Sequence, residues 1–387
     1  MNERIINTID DLYQMLDAAI QLEHATIPPY LTALYSIHPE TNLEATAVIR
    51  AVLVEEMLHM TLSANVLNAL GRHPNLLSEG FMPSFPTYLP DGEKDFQVSI
   101  AAFTPETLET FLNIERPSKP QESTSSTCLN GCITRANHAR FHLDAIKPLK
   151  SPTYSFYSIG DFYDAIIEGI KFLETQAREC GETIFIGDLK YQVSNRYYYS
   201  GGGEVIEVTD EKSAITALKL IKEQGEGKPY PDEDTKNQEF DSEGELSHYY
   251  RFKQLQFGRY YRHGDTPDNP TGAQFEVDFR KVYPIKANPK LSDFTENPTL
   301  LKAAKDFNHH YHEFLGIINA AFSGHQNLLL GAVCDMFRLK EYASQLIRNP
   351  ISIESNAHAG PTFEIEASSR DSLNGTAGRT CVHKERA

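Results

Sequence analysis

The sequence lacks several features, and each absence excludes a class of protein. No stretch reaches the roughly 18 apolar residues of a membrane-spanning helix, so we expect no membrane partner. Basic residues are few, and the net charge of -17 argues against a nucleic-acid partner, because phosphate binding needs a basic surface. The first residues are charged and no apolar core follows them, so a signal peptide is not expected.

Cysteine is also scarce, with five in 387 residues. Cys128 and Cys132 form the only close pair in the sequence, and no second pair completes a thiolate metal site. This number and spacing of thiols fit a reducing compartment, so the expected location is the cytoplasm.

What the sequence does contain is helical periodicity. Residues 9–37 repeat apolar side chains at helical spacing, and Glu23 falls within the apolar stripe. Pro28 and Pro29 interrupt the pattern, and a proline inside a helix removes a backbone hydrogen bond. The pattern predicts a helix that either kinks at the two prolines or ends there and restarts.

A second helix is predicted over residues 42–70, ended by Gly71 and Pro74, a common stop signature. The short link between the two predicted helices implies an antiparallel pair. Glu23 and Glu56 are about equally far from that link, so antiparallel packing brings their side chains level.

The rest of the chain divides into shorter elements. We predict further helices over 160–179, 211–224, 244–258, 297–322 and 325–347. Alternating residues around Gly201–Gly203 predict a β-hairpin within 191–208. The expected domains are a bundle over 1–285 with insertions at 72–158 and 180–240, a C-terminal helical pair over 286–366 packed on the bundle, and a disordered tail over 367–387.

Two Glu-x-x-His segments carry the chemistry, Glu56 with His59 and Glu245 with His248. Residues i and i+3 share a face of a helix, so each segment points a carboxylate and an imidazole at one spot. One such pair is common on a solvated helix, but both pairs here lie on apolar stripes. Buried carboxylates are costly unless they are paired or metal-bound, so we interpret the two segments as a metal site.

Ferritin-like bundles hold two metal ions with two such pairs and one Glu from each of two other helices. Glu23 supplies one of these; the other is Glu168 or Glu223, and periodicity does not choose because both fall off the main apolar stripe. Glu55 turns about 100° away from Glu56 on a helix, so we expect it to be a surface group or to lie behind the ligands. The predicted fold is mainly α, a ferritin-like four-helix bundle with long loop and β-hairpin insertions and two extra C-terminal helices.

The donor atoms indicate the metal. Carboxylate oxygens and imidazole nitrogens without thiolates suit iron or manganese better than a structural zinc, and bridging carboxylates hold two ions about 3.5–4 Å apart. We expect two iron ions, with manganese as the alternative. His24, His138 and His142 are unassigned and leave a haem-dependent variant open, although structural roles are expected for them.

Five segments also carry a family resemblance: Leu22–Tyr30 (LEHATIPPY), Glu55–Met60 (EEMLHM), Phe85–Pro90 (FPTYLP), Glu223–Gly227 (EQGEG) and Ser247–Phe252 (SHYYRF). They resemble the ferritin-like domain of the iminophenyl-pyruvate dimer synthase type, known from bisindole pigment pathways such as violacein and rebeccamycin. The resemblance covers most of residues 5–285 and, more loosely, the last two helices.

The resemblance implies an oxygen-dependent oxidoreductase of secondary metabolism. Enzymes of this type couple two molecules of an imine made from an aromatic amino acid after an amino-acid oxidase has acted, so dioxygen and a small, aromatic amino-acid-derived molecule are the implied partners. The family's Glu-Gln-Gly-Glu-Gly segment favours Glu223 over Glu168. The predicted metal ligands are therefore Glu23, Glu56, His59, Glu223, Glu245 and His248. Tyr30 and residues 81–90 are candidates for shaping a pocket.

The resemblance does not carry the substrate. Enzymes of this type can be much longer than this chain, which could act on a different molecule. The alternative function is a non-catalytic ferritin-like metal-binding or scaffold protein. A homo-oligomer is compatible with either function.

Overall fold

The fold is a bundle of long and short α-helices. The computed structural model describes residues 5–118, 155–198, 201–227, 239–241 and 244–365. The helices in these ranges are α1 (Ile9–Ser36), α2 (Leu43–Ala69), α3 (Pro105–Ile114), α4 (Ile159–Glu179), α5 (Glu211–Glu226), α6 (His248–Phe257), α7 (Pro298–Ala321) and α8 (Leu329–Ile347). The same ranges contain isolated bridges but no strand, so the mainly α prediction is confirmed.

Helix α1 runs without a break through Pro28 and Pro29, so it does not end and restart there. Thr8 and Asp11 form a capping box at its start, which satisfies backbone donors that lack a partner in the first turn. An interior proline costs a helix about 3 kcal/mol. Both prolines are buried, and the packing of α1 along α2 offsets this cost.

Four helices close a ring around the core: α1 packs on α2, α2 on α5, α5 on α4, and α4 on α1. This confirms the four-helix bundle, but the segment predicted as a helix over 244–258 does not belong to the ring. Helix α6 begins only at His248, because the residues before it pair with 239–241 through a Phe240–Leu246 bridge. The short helix lies against α2, α3 and α5.

Helix α3 lies within 72–158, where the sequence predicted only an insertion. Thr104 caps it by accepting from the Thr107 backbone N–H, and Pro105 occupies the first turn. Its apolar face is buried and it packs on α6. Helix α3 thereby delivers its C-cap residue, Glu115, to the interior of the bundle.

The predicted β-hairpin within 191–208 is wrong for the described residues, because side-chain amides replace the backbone ladder. Gln192 bonds both the N–H and the carbonyl of Val208, each at 2.7 Å. Asn65 of α2 donates to the carbonyl of Ile206 at 3.0 Å. The alternating pattern therefore corresponds to two segments, around Gln192 and Val208, that are joined by side-chain hydrogen bonds. Neither segment is a β-strand.

Helices α7 and α8 pack on each other, and α8 contacts α1. Their apolar side chains join the same hydrophobic core as the bundle. The division into domains at residue 285 stays a prediction, and the tail over 367–387 lies outside the described residues. None of the helices in the described ranges is long and apolar enough to cross a membrane.

Candidate metal centre

Three buried side chains, Glu56, His59 and His248, form the centre of a cluster where α2 meets α6. One oxygen or nitrogen from each lies within 4.8 Å of those of the other two. The two imidazole rings stack with their centroids 5.2 Å apart. Both histidines can therefore reach ions a few ångströms apart, as a two-ion site requires.

One half of the cluster, the His59 half, is built on the two long helices. His59 Nδ1 lies 3.5 Å from Glu23 Oε2 and 3.8 Å from Glu56 Oε1. Glu56 and His59 are one turn apart on α2, and Glu23 faces them from the antiparallel α1. The helical period thus aims all three side chains at one point.

The other half, the His248 half, is built from the ends of two short helices. His248 is the first residue of α6, and its Nδ1 lies 2.9 Å from Glu56 Oε1 and 3.5 Å from Glu115 Oε2. Glu115 is the C-cap of α3. Glu56 Oε1 therefore faces both histidines and is shared between the halves.

The outer nitrogen of each histidine has a partner that fixes the tautomer. His248 Nε2 lies 2.8 Å from Glu55 Oε2, while Arg251 Nη1 donates to Glu55 Oε1 at 2.8 Å. An ionised carboxylate only accepts hydrogen bonds, so Nε2 of His248 carries a proton. Burial raises the pKa of Glu55, but His248 and Arg251 outweigh it and hold that pKa below its usual value.

Gln224 plays the same part for His59. Its amide nitrogen donates to the carbonyl of Gly202 at 2.9 Å, which turns its oxygen towards His59 Nε2, 3.0 Å away. Nε2 of His59 is therefore the protonated nitrogen as well. Both histidines hold their Nδ1 atoms towards carboxylates, as metal-ligating histidines do when the other nitrogen donates to a protein group.

Each inner carboxylate also receives a hydroxyl on the oxygen that turns away from the histidines. Tyr163 donates to Glu23 Oε1. Tyr30 donates to Glu115 Oε1 at 2.5 Å. Thr26 donates to Glu56 Oε2 at 2.7 Å. The hydroxyls orient the carboxylates and leave three inner oxygens facing the two histidines.

The cluster is short of positive charge. Burial and the neighbouring Glu115 raise the pKa of Glu56 to about 7. Burial opposes ionisation of His248, but Glu115, Glu55 and Glu56 together raise the pKa of its ring well above the usual value. His248 Nδ1 and Glu56 Oε1 are buried 2.9 Å apart, a distance that requires a proton or a metal ion between them. The raised pKa values mean that a proton takes this place in the metal-free cluster, and the same two donor atoms fit a metal ion that would replace it.

Of the six predicted ligands, the structure brings Glu23, Glu56, His59 and His248 together. Glu245 does not join them: its side chain is 66% exposed and pairs with Arg251 Nη2 at 3.0 Å. The reason is that α6 begins after Glu245, so no helical turn aligns it with His248.

Neither candidate from a third helix joins the cluster. Glu223 is half-buried and precedes Gln224, and one residue turns the helix by about 100°, so Gln224 faces His59 in its place. Glu168 is exposed and pairs with Lys171 at 2.8 Å. The bundle helix α4 contributes Tyr163 instead.

Sequence reasoning missed Glu115 and undervalued Glu55. A signal for Glu115 was present, because Leu108, Phe111, Leu112 and Glu115 follow i, i+3, i+4, i+7 spacing after a Thr-Pro helix start. Glu55 is buried although it lies beside Glu56 on the helix, because α6 covers that flank of α2 with His248.

The other residues singled out in the sequence, Tyr30 and His24, lie on different sides of α1. Tyr30 contacts the cluster through Glu115. His24 faces away from it, with Nε2 3.0 Å from the Tyr311 hydroxyl and its ring 4.8 Å from Phe81. Burial lowers the pKa of His24 to about 3, so it is a neutral ring between α1 and α7. His138 and His142 lie outside the described residues.

Comparison of the chain with known proteins defines its class. The ferritin-like family model matches residues 16–257, well over half of the chain. The chain belongs to the ferritin-like family.

Two known proteins are similar to the chain over most of its length. The chain is 24% identical to dichlorochromopyrrolate synthase of Lentzea aerocolonigenes, over 93% of this chain and 36% of that protein. It therefore spans about a third of the length of this relative, whose match confirms the resemblance noted in the sequence. A crystal structure of a ferritin-like protein from Caulobacter vibrioides aligns with a TM-score of 0.58 and 22% identity, covering 93% of this chain and 99% of that one, which supports the fold.

Proposed function

We propose that this chain is a non-haem di-metal oxidoreductase, with iron as the metal, that uses dioxygen to oxidise a small molecule derived from an aromatic amino acid. The observation that carries the proposal is the pair of histidines whose Nδ1 atoms are both held towards three inner carboxylates. The similarity to dichlorochromopyrrolate synthase supports an enzyme of secondary metabolism. The substrate class is proposed from the family resemblance of the sequence.

Five residues would hold the metal: His59 and Glu23 in one half, His248 and Glu115 in the other, and Glu56 between them. Their three carboxylates nearly balance two divalent ions, while the negative charge of Glu55 is paired with Arg251 at 2.8 Å. Oxygen and nitrogen donors without thiolates suit iron or manganese. Iron held by these residues would supply electrons for the reduction of dioxygen.

The protein residues around the donors position them and exclude water. All five donor side chains are buried, so charges at the centre interact without the screening of bulk solvent. The Tyr163 and Tyr30 hydroxyls each donate a hydrogen bond to the outer oxygen of a carboxylate. Burial and the nearby carboxylates raise both tyrosine pKa values well above the usual value. Both phenols therefore stay protonated donors at neutral pH.

The test combines metal analysis with oxygen uptake. Purified protein is analysed for iron, manganese and haem by elemental analysis and optical spectrum. It is then loaded anaerobically with ferrous iron and given a measured pulse of oxygen, with Glu56→Ala as the control. We expect about two irons per chain and oxygen consumption in proportion to iron, both lost in the variant.

Two results would overturn the enzyme function. If the wild type binds iron but consumes no more oxygen than the variant, a metal-binding or scaffold protein replaces it. If the wild type binds neither iron nor manganese, the metal centre itself is wrong. The substrate is tested by generating the imine of an aromatic amino acid in the reaction with an amino-acid oxidase and by searching for a coupled product by mass spectrometry.

A further inference from the structure

The two halves of the cluster resemble each other closely at the inner donors. Each has one histidine Nδ1 and one terminal carboxylate held by a tyrosine, and both share Glu56. The halves differ in what lies behind the histidine. His248 Nε2 faces a carboxylate, Glu55, and His59 Nε2 faces a carboxamide, Gln224.

The carboxylate behind His248 is fixed as an anion. Arg251 donates to Glu55 at 2.8 Å and to Glu245 at 3.0 Å, so its charge is divided between two carboxylates. The carboxamide behind His59 is fixed as well, because the carbonyl of Gly202 holds its amide nitrogen. These contacts keep an oxygen atom of each partner side chain facing Nε2 of its histidine.

An anionic partner makes an imidazole a stronger metal ligand than a neutral partner does. It draws the Nε2 proton towards itself and leaves more electron density on Nδ1. Partners of this kind typically change metal affinity by about 10–100-fold. Glu56 Oε1 is also nearer to Nδ1 of His248, at 2.9 Å, than to that of His59, at 3.8 Å. Both differences favour the same half.

We propose that the centre is asymmetric, with the His248 half holding its ion more tightly than the His59 half, and that Glu55 and Gln224 are the positioning residues that set this order. The inference rests on the proposed metal centre. It assigns a role to Glu55 and to the Gly201–Gly203 turn, whose middle carbonyl holds Gln224. Metal loading then proceeds in two steps, the His248 half first.

The test is an anaerobic titration of metal-free protein with Co²⁺. Binding is monitored by calorimetry and by the optical absorption of the bound ion. We expect two steps for the wild type, and only the tighter step for His59→Ala. Glu55→Gln should weaken the tighter step about 10–100-fold and leave the weaker one unchanged. Gln224→Leu should weaken only the second step. Glu245→Gln is the matched control, since it also removes a carboxylate from Arg251 but touches no histidine.

Several outcomes would overturn the asymmetry. Two equal sites in the wild type would do so, as would a Glu55→Gln variant that binds both ions as the wild type does or weakens both equally. Should Glu55→Gln fail to fold by circular dichroism, Gln224→Leu decides alone, and weakening of its first step counts against the proposal. A wild type that binds no Co²⁺ would instead refute the metal centre on which the inference rests.

Discussion

The His59 half and the His248 half hold similar donors on different scaffolds. Glu23, Glu56 and His59 lie in the interiors of α1 and α2, where many residues on either side fix their direction. Glu115 and His248 lie at the end of α3 and the start of α6, each a helix of only 10 residues. Donors within long helices are placed by periodicity, whereas donors at helix ends are placed by the path of the chain between helices.

The helix ends are consequently held by polar anchors. Arg116, next to Glu115, donates to the carbonyl of Tyr157 at 2.8 Å and pairs with Glu93. Arg251 donates to the carbonyl of Leu246 at 2.6 Å, which ties α6 to the segment before it. The His59 half, in contrast, depends mainly on the apolar packing of two helices.

The largest expected effect comes from the residue that both halves share. Glu56→Gln should reduce bound metal from about two ions per chain to almost none, because Glu56 Oε1 faces both histidines. Metal per folded chain, measured after reconstitution, checks this. The control is Glu168→Gln, an exposed carboxylate of α4. A variant that kept one ion would show that the halves bind independently and that Glu56 is not shared.

A smaller loss is expected when only the His248 half is damaged. Glu115→Gln should remove about one ion per chain. Glu223→Gln and Glu245→Gln should bind as much metal as the wild type, because Gln224 faces His59 in place of Glu223 and Glu245 pairs with Arg251 at the surface. This comparison separates the ligand set proposed from the structure from the one predicted from sequence. Normal metal content in Glu115→Gln together with a loss in Glu245→Gln would favour the sequence prediction.

The anchoring near Glu115 should also depend on pH. Glu226 accepts hydrogen bonds from Ser118 at 3.1 Å and Gly160 at 2.5 Å, and burial raises its pKa from 4.5 to about 7 although these bonds and Lys222 oppose it. The folded state therefore binds the proton more tightly than the unfolded chain. The stabilisation is complete below about pH 4.5 and is lost as pH rises through 7.

Glu226→Gln removes this titration and serves as the reference. At about 1.4 kcal/mol per pKa unit, the free energy of unfolding of the wild type should fall relative to the variant by about 3 kcal/mol between pH 4.5 and pH 8. Denaturant unfolding at several pH values measures the difference. A constant difference across this range would show that Glu226 titrates alike in both states.

The smallest effect tests the Gly201–Gly203 turn, which holds Gln224 and lies against Glu55. Gly202 has φ +81°, and a Cβ on it would lie 2.9 Å from Glu55 Cγ. Gly201 has φ +85° with its nearest contact at 3.9 Å, so it is a matched control. Both alanine variants should lose about 1 kcal/mol of stability to the left-handed backbone, and only Gly202→Ala should also weaken Co²⁺ binding. Equal binding by the two variants would indicate that the turn does not position the ligands.

The sequence predicted more of the His59 half than of the His248 half. Glu23, Glu56 and His59 were found because each lies on the buried stripe of a long helix. His248 was found through a Glu-x-x-His motif, although its partner Glu245 precedes the helix and faces solvent. A motif predicts a shared helix face only where both residues are helical. Here the pairing of the preceding residues makes α6 begin at His248, four positions after the predicted start.

The sequence by itself determined the long helices, the ferritin-like bundle and the donors that lie within those helices, because a repeat of apolar residues fixes which face of a helix is buried. Only the tertiary structure decided that Glu115 lies beside His248, where Glu223 or Glu245 was expected, that Gln224 faces His59, and that Glu55 faces the outer nitrogen of His248. These choices depend on contacts between residues up to 193 positions apart. Local periodicity carries no information about such contacts, since they arise only when the helices pack.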